Sequence, residues 1–315
     1  MDDLSDTELL YLLDLAEDFK RKKRMGIRGD ALRRKNIALI FEKSSTRTRC
    51  AFTVAASDEG GQSEYLGTYD IHFGKKESIA DTARVLGRMF DGIAFRGFNQ
   101  DTVEQLAKYS GVPVWNALTD DWHPTQILAD LLTIREHFGS LKGLKVVYIG
   151  DGRNNVANTL MIGCARSGMH FVDCAPAELA PSDDLCRSVS VMAAKRGGSV
   201  TVTTNPQEAV KGANVLYTDV WVSMGEEAKF DERLKLLRPY QINMDLMRQT
   251  GHMDDGKAIF LHCLPAFHDH KTDLTKEIGP LEVTDDVFEA PFSKVFDEAE
   301  NRVHTIKAVM VSTLT

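Results

Sequence analysis

The run Ser45-Thr46-Arg47-Thr48-Arg49 sets hydroxyls and guanidiniums where a short apolar stretch, Ile37 to Phe41, gives way to a helix. A helix start carries backbone N–H groups that no carbonyl of the helix satisfies. With the helix dipole and a nearby guanidinium, they form a seat for a phosphate. Arg47 and Arg49 lie about 200° apart around a helix of 3.6 residues per turn, so they cannot face one ligand together. Arg47 is assigned to the anion and Arg49 to packing or an ion pair. By residue type alone, an ordinary capped helix with surface arginines remains the other reading.

Further on, His123-Pro124-Thr125-Gln126 puts a proline at the first position of a helix, with His123 beside its N-terminus. His123 and Gln126, three apart, share a face and can hydrogen-bond a carbonyl oxygen and an amide nitrogen together. Arg96 directly follows a predicted strand, so its head reaches the carboxyl edge of the sheet, where ligands bind in open α/β sheets. The bland alternatives are a capping histidine and a surface ion pair.

The second half repeats the theme. Gly150-Asp151-Gly152-Arg153-Asn154-Asn155 follows a strand and invites a dinucleotide reading, but Asn155 stands where the third glycine of that fingerprint belongs. Asn155 can instead offer its amide to a substrate carboxylate from a helix N-terminus. Asp219-Val220-Trp221-Val222-Ser223-Met224-Gly225 places a carboxylate and a hydroxyl four residues apart on a loop, a pair suited to an α-ammonium. Asp219 could equally cap the next helix, and a lone Met224 is usually core. His262-Cys263-Leu264-Pro265-Ala266 ends another predicted strand and brings a thiol to the same edge, although single cysteines are more often inert and buried.

These positions need a scaffold, and the hydrophobic pattern supplies one. Ser5 and Glu8 form a capping box ahead of Leu9, Leu12, Leu13, Ala16 and Phe19 at helical spacing. Strands are predicted at Ile37 to Phe41, Gly92 to Phe95 and Val112 to Trp115, with helices at Thr46 to Ala56, Ser78 to Phe90, Thr102 to Tyr109 and Pro124 to Phe138. A second series follows, with strands at Val146 to Ile149, His170 to Cys174, Val200 to Thr203, Val215 to Thr218 and Ala258 to His262. This is the rhythm of an α/β protein with two tandem domains, each a mostly parallel sheet with helices on both faces. The expected domains are 1–138 and 139–294, followed by a C-terminal helix over 295–315 that could pack on either. That helix carries Val295, Ala299, Val303, Ile306 and Met310 on one stripe.

A chain of 315 residues suits two domains, each with its own core. The net charge of -8 disfavours a nucleic-acid partner, since phosphate-backbone binding needs a basic face. The basic run Lys20 to Arg24 reads as a solvated helix end. No apolar run nears the roughly 18 residues that cross a bilayer, and the acidic N-terminus resembles neither a signal nor a transit peptide. A cytoplasmic protein with no membrane partner is expected. Cys50, Cys164, Cys174, Cys186 and Cys263 show no CxxC spacing, which favours reduced thiols and gives no support for a zinc site.

Taken together, Ser45-Thr46-Arg47-Thr48-Arg49, His123-Pro124-Thr125-Gln126 and the tandem α/β halves resemble the aspartate and ornithine carbamoyltransferase family along the whole chain. Asp219 to Gly225 and His262 to Ala266 resemble its ornithine branch. The resemblance implies transfer of a carbamoyl group from carbamoyl phosphate to the side-chain amine of L-ornithine, giving citrulline and phosphate, with no cofactor and no metal. Ser45, Thr46, Arg47 and Thr48 would hold the phosphate, and Arg96, His123 and Gln126 the carbamoyl group. Arg302 would return from the last helix to the same ligand, which implies that this helix packs on the first domain. Asn155 and Met224 would take the ornithine carboxylate, Asp219 and Ser223 its α-ammonium. Cys263 and Leu264 would lie near the reacting amine. His72 stands where some relatives have glutamine, on a loop that completes a neighbouring subunit's site, so a homotrimer or an assembly of trimers is implied. The rival readings are another acceptor amine such as putrescine or an acylated ornithine, a non-catalytic relative, and a nicotinamide enzyme resting only on Gly150-Asp151-Gly152.

Overall fold

The computed structural model describes residues 1, 3–71, 77–222 and 227–315. Its contacts divide the chain into two units, one of Asp3–Leu132 with Glu300–Thr315 and one containing Thr133–Ala299.

The N-terminal unit opens with helix α1 (Asp6–Arg24), whose Ser5 and Glu8 make the reciprocal capping box. Strand β1 (Asn36–Phe41), α2 (Thr46–Asp58), β2 (Gln62–Leu66), α3 (Ile79–Leu86), β3 (Gly92–Arg96), α4 (Gln100–Ser110), β4 (Val114–Leu118) and α5 (Pro124–Phe138) follow in order. The sheet runs β2-β1-β3-β4 and every pairing is parallel. Successive residues of β1 point to opposite faces. Ile37, Leu39 and Phe41 pack with Phe52 and Ala55 of α2 and with Ile306 and Met310 of the C-terminal helix (Val295–Leu314). Ala38 and Ile40 join Ile93, Phe95, Ala83 of α3 and Leu106 of α4 on the other face. The sheet is thus covered on both sides, and the last helix contributes to the N-terminal core.

Two predicted elements change their bounds here, and one strand forms that the sequence pattern does not announce. The predicted strand at Val112 to Trp115 begins two residues later and extends to Leu118, because Pro113 has no N–H to give the ladder. The predicted helix from Ser78 to Phe90 is shorter: Ser78 caps it, and it ends at Gly87, where a Cβ would overlap the Ser110 carbonyl. Strand β2, Gln-Ser-Glu-Tyr-Leu, is a polar edge strand with no apolar alternation to reveal it. The basic run is not wholly solvated either. Lys20 is buried and donates from Nζ to Asn301 Oδ1 at 2.7 Å, so it belongs to the packing of α1 on the last helix.

The C-terminal unit has strands β5 (Lys145–Ile149), β6 (His170–Cys174), β7 (Ser199–Thr203), β8 (Val215–Thr218) and β9 (Ile259–His262), with α6 (Asn155–Arg166) and α7 (Asp183–Ala194) among its helices. The order is β7-β6-β5-β8-β9, again all parallel. Its core gathers Val147, Ile149, Cys174, Leu216, Phe260 and Trp221. No helix among the described residues is long and apolar enough to cross a membrane.

In a parallel sheet of this kind the loops leaving adjacent strands diverge where the strand order reverses, and the crevice between them receives ligands. The first sheet reverses between β1 and β3, where Phe41 pairs with Arg96. The second reverses between β5 and β8, where Tyr148 pairs with Tyr217. Ser45–Arg49 and Arg96 leave the first sheet and Asn155 and Asp219 the second at these two points, while His123 follows the neighbouring strand β4 and Cys263 the neighbouring strand β9.

Candidate active site

In the N-terminal unit the phosphate-type motif starts α2. Ser45 is its N-cap, with extended backbone, and accepts the Thr48 N–H at 3.3 Å through its side-chain oxygen. That contact leaves the hydroxyl hydrogen for a ligand oxygen. Thr48 is buried, Arg47 half-buried and Thr46 exposed. Arg49 turns away, its guanidinium 3.9 Å from the centre of the Tyr65 ring, as helix geometry requires of the residue opposite Arg47.

Arg302 ties the motifs together. Its Nη1 donates to Gln126 Oε1 at 2.6 Å, and its Nη2 donates to Thr48 Oγ1 at 3.0 Å and Thr125 Oγ1 at 3.3 Å. Gln126 in turn donates from Nε2 to Asp130 Oδ1 at 2.9 Å, which fixes the orientation of its amide. Arg96, the last residue of β3, is buried. His123 is buried as well, and its imidazole is held well below the usual histidine range, first by burial and then by the positive charges of Arg302, Arg96 and Arg47. A neutral imidazole among guanidiniums can donate a hydrogen bond to a carbonyl oxygen without carrying charge of its own. Ser45, Arg47, Thr48, Arg96, His123, Gln126 and Arg302 therefore form one cationic cluster suited to a doubly charged anion with an attached carbonyl. Beside it, Lys43 is buried, pairs with Asp120 and lies 4.4 Å from the Phe98 ring centre, bracing the turn out of β1.

In the C-terminal unit Asp219 follows β8 and is the hub. Its Oδ1 accepts from Cys263 Sγ at 3.0 Å and from the Val220 N–H at 2.8 Å, and its Oδ2 accepts from Asn154 Nδ2 at 3.2 Å. Burial pushes its carboxyl up, against the pull of His262 and of the Cys263 and Val220 hydrogen bonds. Asn154 also donates to Tyr148 Oη at 2.7 Å and caps α6 by accepting the Ala157 N–H at 2.7 Å. That cap sets Asn155 as the first residue of α6, at the end where backbone N–H groups point outward.

The turn after β9 is held by buried acids. His262 Nδ1 accepts the Leu264 N–H at 2.9 Å, so its proton sits on Nε2 and faces Glu282 Oε1 at 3.3 Å. Glu282 also accepts the Phe267 N–H at 2.6 Å, and Glu298 accepts the His262 N–H at 3.0 Å. Leu264 has φ 57°, a conformation costly for a branched side chain, and these bonds hold it there. Asp219, His262 and Cys263 present ligand-type atoms within 4.8 Å of one another, a grouping that their sequence spacing could not reveal. In this structure those atoms serve the hydrogen bonds just described. His268, Asp285 and Glu289 form a second such group, nearer the surface.

His72, Ser223 and Met224 lie outside the described residues. Asn154, Asp130, Glu282 and Glu298 also hold the site, and none of them is among the residues expected there. Asn154 carried a visible signal, a capping residue type one position before a helix, and Asp130 sits one helical turn beyond Gln126, whereas Glu282 and Glu298 act across longer sequence separations and leave no local mark.

The model of the carbamoyl-phosphate-binding domain of aspartate/ornithine carbamoyltransferases matches residues 1–136, and that of their aspartate/ornithine-binding domain matches residues 142–313. The chain belongs to the aspartate/ornithine carbamoyltransferase family. Relatives within it include a catabolic ornithine carbamoyltransferase of Bacillus licheniformis, 60% identical over 99% of this chain and 94% of that one. An ornithine carbamoyltransferase of Streptococcus equi subsp. zooepidemicus is 57% identical over the same shares. Among solved carbamoyltransferase structures, ornithine carbamoyltransferase from Pyrococcus furiosus superimposes with a TM-score of 0.89 at 44% identity, covering 98% of this chain and 93% of that one.

Proposed function

We infer that the chain transfers the carbamoyl group of carbamoyl phosphate to the side-chain amine of L-ornithine, giving L-citrulline and phosphate in arginine metabolism. The observation that carries the reading is the clamp of Arg302 on Gln126, Thr48 and Thr125 around a buried, uncharged His123, within a family of carbamoyltransferases. Residues 1–138 with 295–315 serve as the carbamoyl-phosphate domain and 139–294 as the ornithine domain.

In this reading the N–H groups opening α2, with Ser45, Thr46, Arg47 and Thr48, take the phosphate. Arg96, His123 and Gln126 take the carbamoyl group, with Arg302 fixing Gln126 and Thr48. As the amine attacks, negative charge grows on the carbonyl oxygen, and fixed donors at Arg96, Thr48 and His123 stabilise it. The ornithine amine, lysine-like with a pKa of about 10.4 in water, must shed a proton before it attacks. Asp219, Cys263 and the Leu264 carbonyl orient it. Asn155 and Met224 hold the α-carboxylate, Asp219 and Ser223 the α-ammonium. A bond forms from the amine nitrogen to the carbonyl carbon, the carbon–oxygen bond to phosphate breaks, and the surplus proton leaves with the phosphate. Arg47 and the α2 N-terminus stabilise that leaving group. His72 completes a neighbouring subunit's site in a homotrimer or an assembly of trimers, and the protein works in the cytoplasm.

The test is an assay of purified protein for citrulline with both substrates varied, run beside putrescine and an acylated ornithine. Strong preference for ornithine is expected. Equal use of putrescine would show that Asp219 and its loop do not read an α-amino acid end.

A further inference from the structure

The carboxyl of Asp173 has no role in the chemistry above, yet its setting is unusual. It lies on β6, fully buried, between Tyr148 of β5 and Val202 of β7 in the sheet register. Neither carboxylate oxygen has a hydrogen-bond partner among the described residues. Directly over it runs the turn Gly150–Asn155. A Cβ built on Gly152 would stand 2.9 Å from Asp173 Cγ and closer still to Oδ1, so this turn rests on the carboxyl itself. The same turn carries Asp151, whose carboxylate pairs with Arg153 and with the buried Arg233, and it ends at Asn154 and Asn155.

A buried carboxylate without donors is costly, and a second carboxylate beside it raises the cost. Asp151 pairs with two guanidiniums, whereas Asp173 pairs with none among the described residues. The proton therefore belongs on Asp173. We propose that Asp173 is a positioning residue for the amino-acid-binding turn, supporting Gly152 while uncharged and displacing the turn, and Asn155 with it, once it ionises.

Its titration falls in a range where this matters. The carboxyl is pushed up to about 8, first by burial and then by the charge of Asp151. The other titratable groups facing it do not offset a new negative charge. Tyr148 on β5 and Cys174, next to Asp173 on β6, are both pushed up, in part by Asp173 itself, and so stay neutral. Cys186 on α7 is likewise raised, with Asp183 of that helix adding negative charge. Arg233 and Arg153 are committed to Asp151. Ionisation thus sets the Asp173 carboxylate beneath the turn against the Asp151 carboxylate that the turn carries.

The inference rests on the reading of Asn155 as an ornithine contact, and the experiment separates the two. The quantity measured is kcat/KM for ornithine from pH 6.5 to 9.5, for the natural protein and for Asp173→Asn, which keeps the shape but cannot ionise. Taking the ratio of the two removes the ionisation of ornithine itself. The ratio is expected to fall by about tenfold or more above pH 8, since a group with this pKa is mostly ionised by pH 9.5, while the same ratio for carbamoyl phosphate stays level. A purely structural carboxyl would lower both pH limbs equally and leave the ratio flat, which overturns the proposal. Asn155→Ala is assayed alongside: an unchanged ornithine KM there overturns the reading of Asn155, whereas a raised KM with a flat ratio overturns the role of Asp173 alone. Should Asp173→Asn fail to fold, hydrogen exchange on the natural protein decides. After correction for intrinsic rates, protection of 150–155 must drop between pH 7 and 9.5 while that of 37–41 holds; equal protection at both pH values sinks the idea.

Discussion

Arg302 donates to the Gln126 side-chain oxygen at 2.6 Å, although 176 residues separate them in the chain. The bond closes the N-terminal unit on itself, since Arg302 sits on the last helix and Gln126 in the first turn of α5. It also makes the position of Gln126 depend on a guanidinium fork, because the second arm grips Thr48 and Thr125. A lysine, a single point charge, could not make this set of contacts.

Replacement of Arg302 by lysine is therefore expected to weaken carbamoyl phosphate use. Charged hydrogen bonds of this kind contribute roughly 1.5–3 kcal/mol each, so kcat/KM for carbamoyl phosphate should fall about 10- to 150-fold, with the ornithine KM changing far less. Steady-state kinetics with each substrate varied in turn checks this. A change below about threefold would remove Arg302 from the binding machinery.

His123 gives a pH prediction whose sign is fixed. Its pKa in the folded protein lies well below the usual 6.5, so the unfolded chain takes up a proton that the folded chain refuses. Stability contributed by the neutral imidazole is whole above about pH 6.5 and declines as pH drops below it, until the folded value is reached. Thermal melts between pH 4.5 and 7.5 should show a shallower acid loss in His123→Asn than in the natural protein. Parallel curves would mean that His123 is not the group responsible.

Asp219 collects hydrogen bonds from Cys263, Val220 and Asn154, so a neutral amide there must leave one or more donors unsatisfied. Asp219→Asn is expected to raise the ornithine KM about 10- to 150-fold, in line with ~1.5–3 kcal/mol for a lost charged contact, and to leave carbamoyl phosphate affinity nearly unchanged. Isothermal titration with carbamoyl phosphate, beside ornithine kinetics, tells the two apart. Equal damage to both substrates would argue against the assignment of one substrate to each domain.

Much of this was readable in the sequence where local chemistry dominates. The apolar runs that became β1, β6 and β8, the capping box at Ser5 and Glu8, and the proline opening α5 are all short-range signals, and each element formed where they lie. The separate faces taken by Arg47 and Arg49 followed from helix geometry alone. What stayed hidden acts at a distance. The polar edge strand Gln62–Leu66 exists because β1 offers it a partner, not because its own residues demand it. Lys20 looked like a solvent-facing cation until Asn301 arrived from the far end of the chain. Glu282 and Glu298 are ordinary acids in sequence, and only the fold reveals that they hold the turn carrying Cys263.

Arg47 offers the most direct test of the account, because it is half-buried, starts α2 and is the guanidinium assigned to the leaving phosphate. Citrulline formation should be measured for the natural protein and for Arg47→Gly, with a melting curve for each. The expected result is citrulline from ornithine and carbamoyl phosphate in the natural protein, and at least ~10²-fold lower kcat/KM in a variant that still folds, as for loss of one preorganised donor to a developing charge. Near-natural turnover in folded Arg47→Gly would contradict the phosphate seat on which the mechanism stands.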